Sequence, residues 1–198
     1  MIAPPQTYLL SFTAGSALPV EMTTVAEEII SGKSWSEIEV MVLKRNLLRK
    51  PKLATSRREF QEIRKRIEAL STEELDSLLK ATKSDREGII LLSMLRVYPI
   101  LRQFFNEVVL ENLSMIRREF SRTDLEQFFR RKRIEHPELD QLAETTLAKV
   151  RQVILRIFAE TGVIESSRKW VIQKPLWTTT LIKYFKENEK SLFTFASI

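Results

Sequence analysis

The chain has 198 residues, a formal net charge of +6 and 43% hydrophobic residues, which is an ordinary balance for a globular protein. It has no cysteine and one histidine, so disulfide frameworks, thiol chemistry and Cys/His zinc sites are excluded. Low contents of glycine (4) and proline (7) favour helices over sheets joined by tight turns. The N-terminus does not resemble a signal peptide, and the longest apolar run, residues 89–95, is far shorter than the roughly 20 residues of a spanning helix. We therefore expect a cytoplasmic protein without membrane contact.

The first half of the chain carries repeated signals for the start of a helix. Ser34 with Glu37 and Ser71 with Glu74 have the spacing of capping boxes, in which each side chain satisfies a free amide of the other residue. Apolar residues recur after each box at steps of three and four, and nothing alternates with a period of two. The pattern predicts a helical bundle over residues 1–116.

The second half has a different order of elements. Thr123-x-x-Glu126 starts a helix, Pro137 suits a short helix, and Thr145 starts a long helix that ends at Gly162. Two apolar segments then flank the polar stretch 166–169, which is hairpin-like, before a last amphipathic helix. We therefore predict a mainly α fold, in which residues 117–198 form a winged helix-turn-helix-like unit with one short β-hairpin and a C-terminal helix.

The positive charge is concentrated in two segments. Residues 44–66 hold ten basic residues against two acidic ones, and residues 117–133 hold seven against three. Clustering of this kind favours a polyanionic partner over a generic basic surface, although a solvated helix face remains the alternative for each cluster. The arginines of the second cluster suit phosphate oxygens through their planar guanidinium groups.

The long helix separates an apolar side from a polar one. Leu147, Val150, Ile154, Ile157 and Phe158 fall on one side, whereas Thr145, Lys149, Gln152 and Arg156 fall on the other at steps of four, three and four. An apolar back and a narrow front of hydrogen-bond donors are what insertion into the major groove requires. The hydroxyl of Thr145 and free amides at the helix start suit a phosphate, and Arg168 and Lys169 stand at the tip of the expected wing. A protein-binding winged helix and an ordinary amphipathic helix are the alternatives.

Together, the clusters and the long helix define a set of candidate nucleic-acid-binding residues. They are Arg57, Arg58, Arg64, Lys65, Arg117, Arg118, Arg130, Arg131, Arg133, Thr145, Lys149, Gln152, Arg156, Arg168 and Lys169. No phosphate-binding, dinucleotide-binding or serine-hydrolase motif occurs, so no motif indicates a reaction. We therefore expect neither an enzyme nor a cofactor.

Scattered motifs along almost the whole chain resemble the BrxA family, a small component of bacterial BREX phage-defence systems. The matching segments are 8–15, Ser34-Trp35, 46–48, Thr55-x-Arg57, Arg66-Ile67, Tyr98, Phe104, 107–110, Phe128, 136–139 and 145–155. The resemblance implies a small, mostly helical, non-enzymatic protein that binds duplex DNA. It also implies that the protein is encoded together with a methyltransferase, an ATPase, a phosphatase-like protein and a Lon-like protease.

Two other functions stay open at this point. The basic faces suit an adaptor that docks an acidic partner within the defence complex. The helical part of the family is said to be NusB-like, which suggests an RNA-binding factor by analogy of fold alone. The sequence does not define an oligomeric state.

Overall fold

A computed structural model describes residues 7–197 of the chain, and it is mainly α, as predicted. A short 3₁₀ turn, Ser11–Ala14, precedes the first helix, and a π-helical segment, Phe105–Leu110, lies between α6 and α7. The helices are α1 (Pro19–Ile30), α2 (Trp35–Arg45), α3 (Leu53–Glu68), α4 (Thr72–Lys80), α5 (Lys83–Val97), α6 (Pro99–Phe104), α7 (Glu111–Ser114), α8 (Arg122–Glu135), α9 (Pro137–Asp140), α10 (Glu144–Glu160), α11 (Thr179–Asn188) and α12 (Lys190–Ala196).

The helix starts follow local capping chemistry. The capping boxes at Ser34 and Ser71 are confirmed, since in each the hydroxyl accepts a backbone N–H three residues on and the glutamate there accepts from the capping residue. The cap of α8 is Ser121 rather than Thr123, because the hydroxyl of Ser121 accepts from the Asp124 amide at 3.2 Å. Neighbouring Ser and Thr residues offer the same chemistry, so the pattern locates a helix start only to within a few residues.

A fully buried arginine holds the 3₁₀ turn against α3. Arg66 is 0% exposed, and its guanidinium donates to the carbonyls of Gly15, Ser16 and Ala17 at 2.9–3.3 Å. Its Nε also donates to the Tyr98 hydroxyl at 3.2 Å. Because buried carbonyls need a donor, this one side chain fixes the path of the chain into α1.

A second buried charge joins three helices. Glu74 of α4 is 4% exposed and accepts from both terminal nitrogens of Arg96, at 2.7 and 2.9 Å. The Tyr184 hydroxyl of α11 and the Ser71 amide also donate to it. Burial alone would raise the pKa of Glu74, but these hydrogen bonds hold its pKa below the ordinary value.

Helices α6 and α7 and the π-helical segment form one rod over residues 99–114, and Pro99 sets its start. The rod is bent by 114° from α5. Within residues 7–197 no single helix is long and apolar enough to cross a bilayer; α5 and the rod would meet the length and composition test only as a bent pair.

The second half packs on the first through one continuous core. Asp85 of α5 accepts from the amide and the hydroxyl of Thr178, the cap of α11, at 2.8 Å each. Arg102 of α6 pairs with Glu189 at 2.9 Å, and Glu160 of α10 accepts from the Ala17 amide at 2.8 Å. The predicted units 1–116 and 117–198 therefore share buried contacts; residues 1–6 and 198 of those units lie outside the described part.

The prediction of a β-hairpin is wrong for the described residues, which form two isolated antiparallel bridges and no strand. Ile164 pairs with Ile172, and Val171 pairs with Glu119. Pairing stays this short because Gly162 turns the chain with a φ of 71° just before it, and Pro175, which has no amide hydrogen, stops it just after. Three helices, α8, α9 and α10, follow one another in the predicted order, but residues 7–197 contain no two-stranded wing, so the structure does not support a winged helix-turn-helix.

Replacing Arg66 by Met should lower the free energy of unfolding by about 3 kcal/mol, because the buried carbonyl of Ala17 and the partly buried carbonyls of Gly15 and Ser16 would lose their donor. Urea unfolding measures this, and the matched control is Arg64→Met. Arg64 is exposed, pairs with Glu68 and lies over the Trp35 ring at 5.1 Å, and these surface contacts are weak, so its replacement should cost about 1 kcal/mol. Equal costs for the two variants would contradict the role of Arg66.

The hydrogen bonds to Glu74 make the stability of the protein depend on pH in the acidic range. A depressed pKa in the folded protein contributes stability above the ordinary pKa of a glutamate, about 4.3, and that contribution is lost as the pH falls through the folded value. Glu74→Gln should therefore destabilise the protein at pH 7, and the gap to wild type should narrow below about pH 4. Urea midpoints across pH 3–7 measure it, and a constant gap would contradict the assignment.

Candidate nucleic-acid interface

The long helix α10 separates its two faces as the sequence predicts. Leu147, Val150, Ile154, Ile157 and Phe158 are buried. Thr145, Lys149, Gln152 and Arg156 are all exposed. This exposed set, which we call the α10 front, carries two cations seven residues apart, about 10 Å along the helix axis. Neither Lys149 nor Arg156 has an acidic partner within residues 7–197.

The start of α10 differs from the prediction. The helix begins at Glu144 after Ala143, so Thr145 lies within the first turn and does not cap the helix. Glu144 contacts Arg133 at 2.9 Å and Arg151 at 3.7 Å. A carboxylate in the first turn already complements the positive end of the helix, which weakens the case for a phosphate there.

The arginines of α8 divide into paired and unpaired ones. Arg133 contacts Asp140 at 2.8 Å and Glu144 at 2.9 Å, and these hydrogen bonds raise its pKa. Arg131 lies 3.5 Å from Glu107, which also pairs with the buried Lys132. Arg130, which is exposed, has no acidic partner in the described range and is the free cation of this helix nearest the α10 side.

Arg151, which the sequence pattern did not identify as a candidate, links α8 to α10. The Arg151 guanidinium lies over the Phe129 ring at 5.2 Å, and its Nε is buried without a hydrogen-bond partner. Arg151 and Arg130 line the same surface depression between α8, α9 and α10. The position of Arg151 at the edge of the apolar face of α10 is the sequence feature that could have identified it. An arginine at such a position packs its aliphatic part against apolar residues and leaves its guanidinium near the surface.

The polar segment 166–169 forms a tight turn that presents two cations. The amides of Ser166 and Lys169 each donate to the other's carbonyl, at 3.1 and 3.2 Å, and the Ser166 hydroxyl accepts the Lys169 amide at 3.0 Å. Trp170 anchors the turn by stacking on Phe120, with ring centroids 5.5 Å apart. Lys169 pairs with Glu165 at 2.9 Å, whereas Arg168 is exposed and without an acidic partner in residues 7–197.

Arg117 and Arg118 precede α8 and are both exposed. Neither contacts a carboxylate among the described residues; the one side-chain contact of Arg117 is to the Met115 sulfur, at 2.8 Å. The backbone of Arg118 is fixed, because its carbonyl accepts from the Ile172 amide at 2.7 Å.

Four residues of the first basic cluster are buried or paired with carboxylates. Arg66 is buried, and Lys50 lies between Glu21 and Glu59 at 2.6 and 2.9 Å. Arg64 pairs with Glu68 at 2.8 Å, and Lys65 with Glu62 at 2.7 Å. The adjacent residues Arg57 and Arg58 are exposed and have no acidic partner within the described range.

The candidate residues fall into two groups in space. Helix α8, helix α10 and the turn 166–169 are joined by direct contacts between Arg133 and Glu144 and between Phe120 and Trp170. Helix α3, with Arg57 and Arg58, packs mainly on α1, α2, α5 and the 3₁₀ turn. The structure therefore brings α8, α10 and the 166–169 turn together, whereas Arg57 and Arg58 lie on α3, which packs mainly on other elements.

Two sequence comparisons identify the family, and a structural comparison matches the fold. The sequence model of the BrxA family matches residues 6–189. The chain is 18% identical over 173 residues to the BREX protein BrxA of Escherichia coli O9:H4 (strain HS), covering 87% of this chain and 81% of that relative. Its fold matches the crystal structure of an uncharacterized protein from Magnetospirillum magneticum with a TM-score of 0.81 at 19% identity, covering 96% of this chain and 98% of the other. The chain belongs to the BrxA family.

Proposed function

We propose that this chain is a non-enzymatic, DNA-binding component of a BREX phage-defence system. The family membership and the name of the Escherichia coli relative support the BREX assignment. The observation that carries DNA binding is the α10 front, where exposed donors follow one face of a helix whose other face is buried. Such a helix offers side chains to the edges of bases while its back keeps it fixed.

Three features support phosphate contacts around the α10 front. Arg130 on α8 flanks it on one side, and Arg168 stands at the tip of the 166–169 turn. Lys149 and Arg156 lie on the front itself. A duplex seated on α10 would meet the turn as a short wing, with Arg168 reaching an adjacent phosphate.

The ion pairs rank the candidates. A cation already held by a carboxylate releases fewer counterions when it meets a phosphate, so paired residues contribute less to affinity. The contributors we propose are Arg130, Lys149, Arg156 and Arg168, with Thr145 and Gln152 as neutral donors on the front. Arg64, Lys65, Arg131, Arg133 and Lys169 are paired, and we assign them a smaller share.

The double variant Lys149→Ala/Arg156→Ala should weaken duplex binding on the order of 10-fold at moderate salt and lower the magnitude of the salt slope by about 2, one unit for each lost phosphate contact. Fluorescence anisotropy with a short duplex at several salt concentrations measures both quantities. The matched control is Lys183→Ala/Lys186→Ala, which removes two exposed cations from α11. Absent or salt-insensitive binding by the wild-type protein would contradict the proposal.

The two basic groups can be separated by the same assay. Arg57→Ala/Arg58→Ala should change duplex affinity less than about 3-fold, because α3 lies outside the layer formed by α8 and α10. A loss equal to that of the α10 variant would mean that DNA spans both layers. Competition with a structured RNA tests the RNA alternative, and preferential displacement of the duplex by RNA would overturn the DNA assignment.

A further inference from the structure

A groove with a volume of about 330 Å³ lies between α4, α5 and α11, and we name it the α4–α11 groove. Its floor is apolar and consists of Ile89 and Leu92 of α5 and Leu181 of α11, each of which belongs to the buried core. Among the described residues, none that lines the groove belongs to α8, α10 or the 166–169 turn. A ligand of this groove would therefore contact other residues than those proposed for DNA.

Hydrogen bonds between the three helices fix the width of the groove. The Thr178 amide and hydroxyl at the start of α11 donate to Asp85 of α5. Further along α11, the Tyr184 hydroxyl donates to Glu74 of α4. Asp85 and Glu74 are only 8% and 4% exposed, so a shift of α11 that closed the groove would break hydrogen bonds to nearly buried carboxylates. The groove is therefore preformed, as ligand sites usually are.

The wall of the groove is acidic, although the chain as a whole carries a charge of +6. Glu73 is exposed and has no ion-pair partner within residues 7–197, and Asp76 pairs with Lys80 at the surface. Asp85 accepts its hydrogen bonds from the uncharged groups of Thr178 and forms no ion pair in the same range. Because a nearly buried carboxylate without a cation is costly, a cation that enters the groove is favoured.

The shape and the charge of the groove together select a class of ligand. Glu73 and Lys80 are seven residues apart on α4, so this wall is about 10 Å long, which matches two turns of a helix and exceeds the size of an ion. The carboxylates repel nucleic acids and anionic lipid headgroups, and an apolar floor gains nothing from a hydrated metal ion. A polypeptide segment with both aliphatic and cationic side chains satisfies the floor and the wall at once.

We propose that the α4–α11 groove binds a basic, amphipathic segment of a partner protein. An aliphatic side chain of this segment packs on the floor, and its lysine or arginine side chains meet Glu73 and Asp76 on the α4 wall. The buried aliphatic side chain contributes most of the affinity, while the charge pairs at the rim select a basic segment. The chain thereby has a protein-binding surface separate from the one proposed for DNA.

Selection from a displayed library of short random peptides on the immobilised full chain tests the proposal. Ser77 is exposed on the α4 wall, and Ser77→Trp should fill the groove while leaving the melting temperature unchanged. Peptides retained by the wild type and lost by Ser77→Trp should combine lysine or arginine with leucine, isoleucine or methionine. The absence of such groove-dependent peptides, or groove-dependent peptides without basic residues, would overturn the proposal.

The site of contact can be mapped with the best peptide from this selection. Methyl NMR of the full chain should show the largest shift changes at Ile89, Leu92 and Leu181, which form the floor. Lys149→Ala/Arg156→Ala should bind the peptide as the wild type does, because both residues lie on α10. Methyl changes confined to other parts of the chain contradict the assignment.

Charge reversal on the α4 wall tests the preference for a basic segment. Glu73→Lys/Asp76→Lys should lower peptide affinity at least about 10-fold in fluorescence anisotropy, because two attractive contacts become repulsive. Glu73→Gln/Asp76→Asn, which keeps the shape of both side chains, should lower it about 3-fold.

The matched control for charge reversal is Glu27→Lys/Glu39→Lys. These residues are exposed on α1 and α2 and form no ion pair within residues 7–197, so the same change of charge should leave peptide affinity within about 2-fold of wild type. Equal losses for the control and for the α4 variant would show that the net charge of the chain, rather than the groove, attracts the peptide.

Discussion

Phe104 is the centre of the aromatic packing that connects α6 to α8 and α10. The Phe104 ring lies at the end of α6. Its centroid is 5.0 Å from that of Phe128 on α8, 5.5 Å from that of Phe158 on α10, and 5.6 Å from that of Phe120, which precedes α8. Trp170 stacks on Phe120 and thereby extends this aromatic packing to the 166–169 turn. Aromatic pairs of this kind are both large in buried area and specific in geometry. The α10 front is therefore presented by a rigid scaffold, and a ligand that meets it pays little to order it.

Fewer basic side chains are free on the surface than the composition indicates. The basic stretches include Arg66 and Lys132, which are buried and hold the fold, and Arg133, whose charge is met by two carboxylates. The exposed cations without an acidic partner within residues 7–197 include Arg130, Lys149, Arg156 and Arg168 around α10 and the adjacent turn. They also include Lys44, Arg45, Arg49, Lys52, Arg57 and Arg58, between the end of α2 and the first half of α3. A few such contacts support salt-sensitive binding, while the hydroxyl and amide groups of the front add the capacity to read base edges.

The sequence predicted those features that depend on neighbours along the chain. The helical class, two capping boxes and the division of α10 into two faces follow from spacing alone, because periodicity and capping are local. The sequence did not predict which arginines are neutralised, because Arg133 is paired by residues of α9 and α10 and Arg66 is buried by the 3₁₀ turn. It also overstated the hairpin: two short apolar segments around a polar stretch indicate extended chain, but the number of paired residues depends on Gly162, Pro175 and the packing around them.

We propose that duplex DNA contacts the α10 front and the 166–169 turn. Amide chemical shifts of the isotopically labelled protein, followed during titration with a short duplex, test this contact residue by residue. We expect the largest changes within residues 144–156 and 166–169, with little change along α3. Changes confined to α3, with α10 and the turn unaffected at saturation, would contradict it.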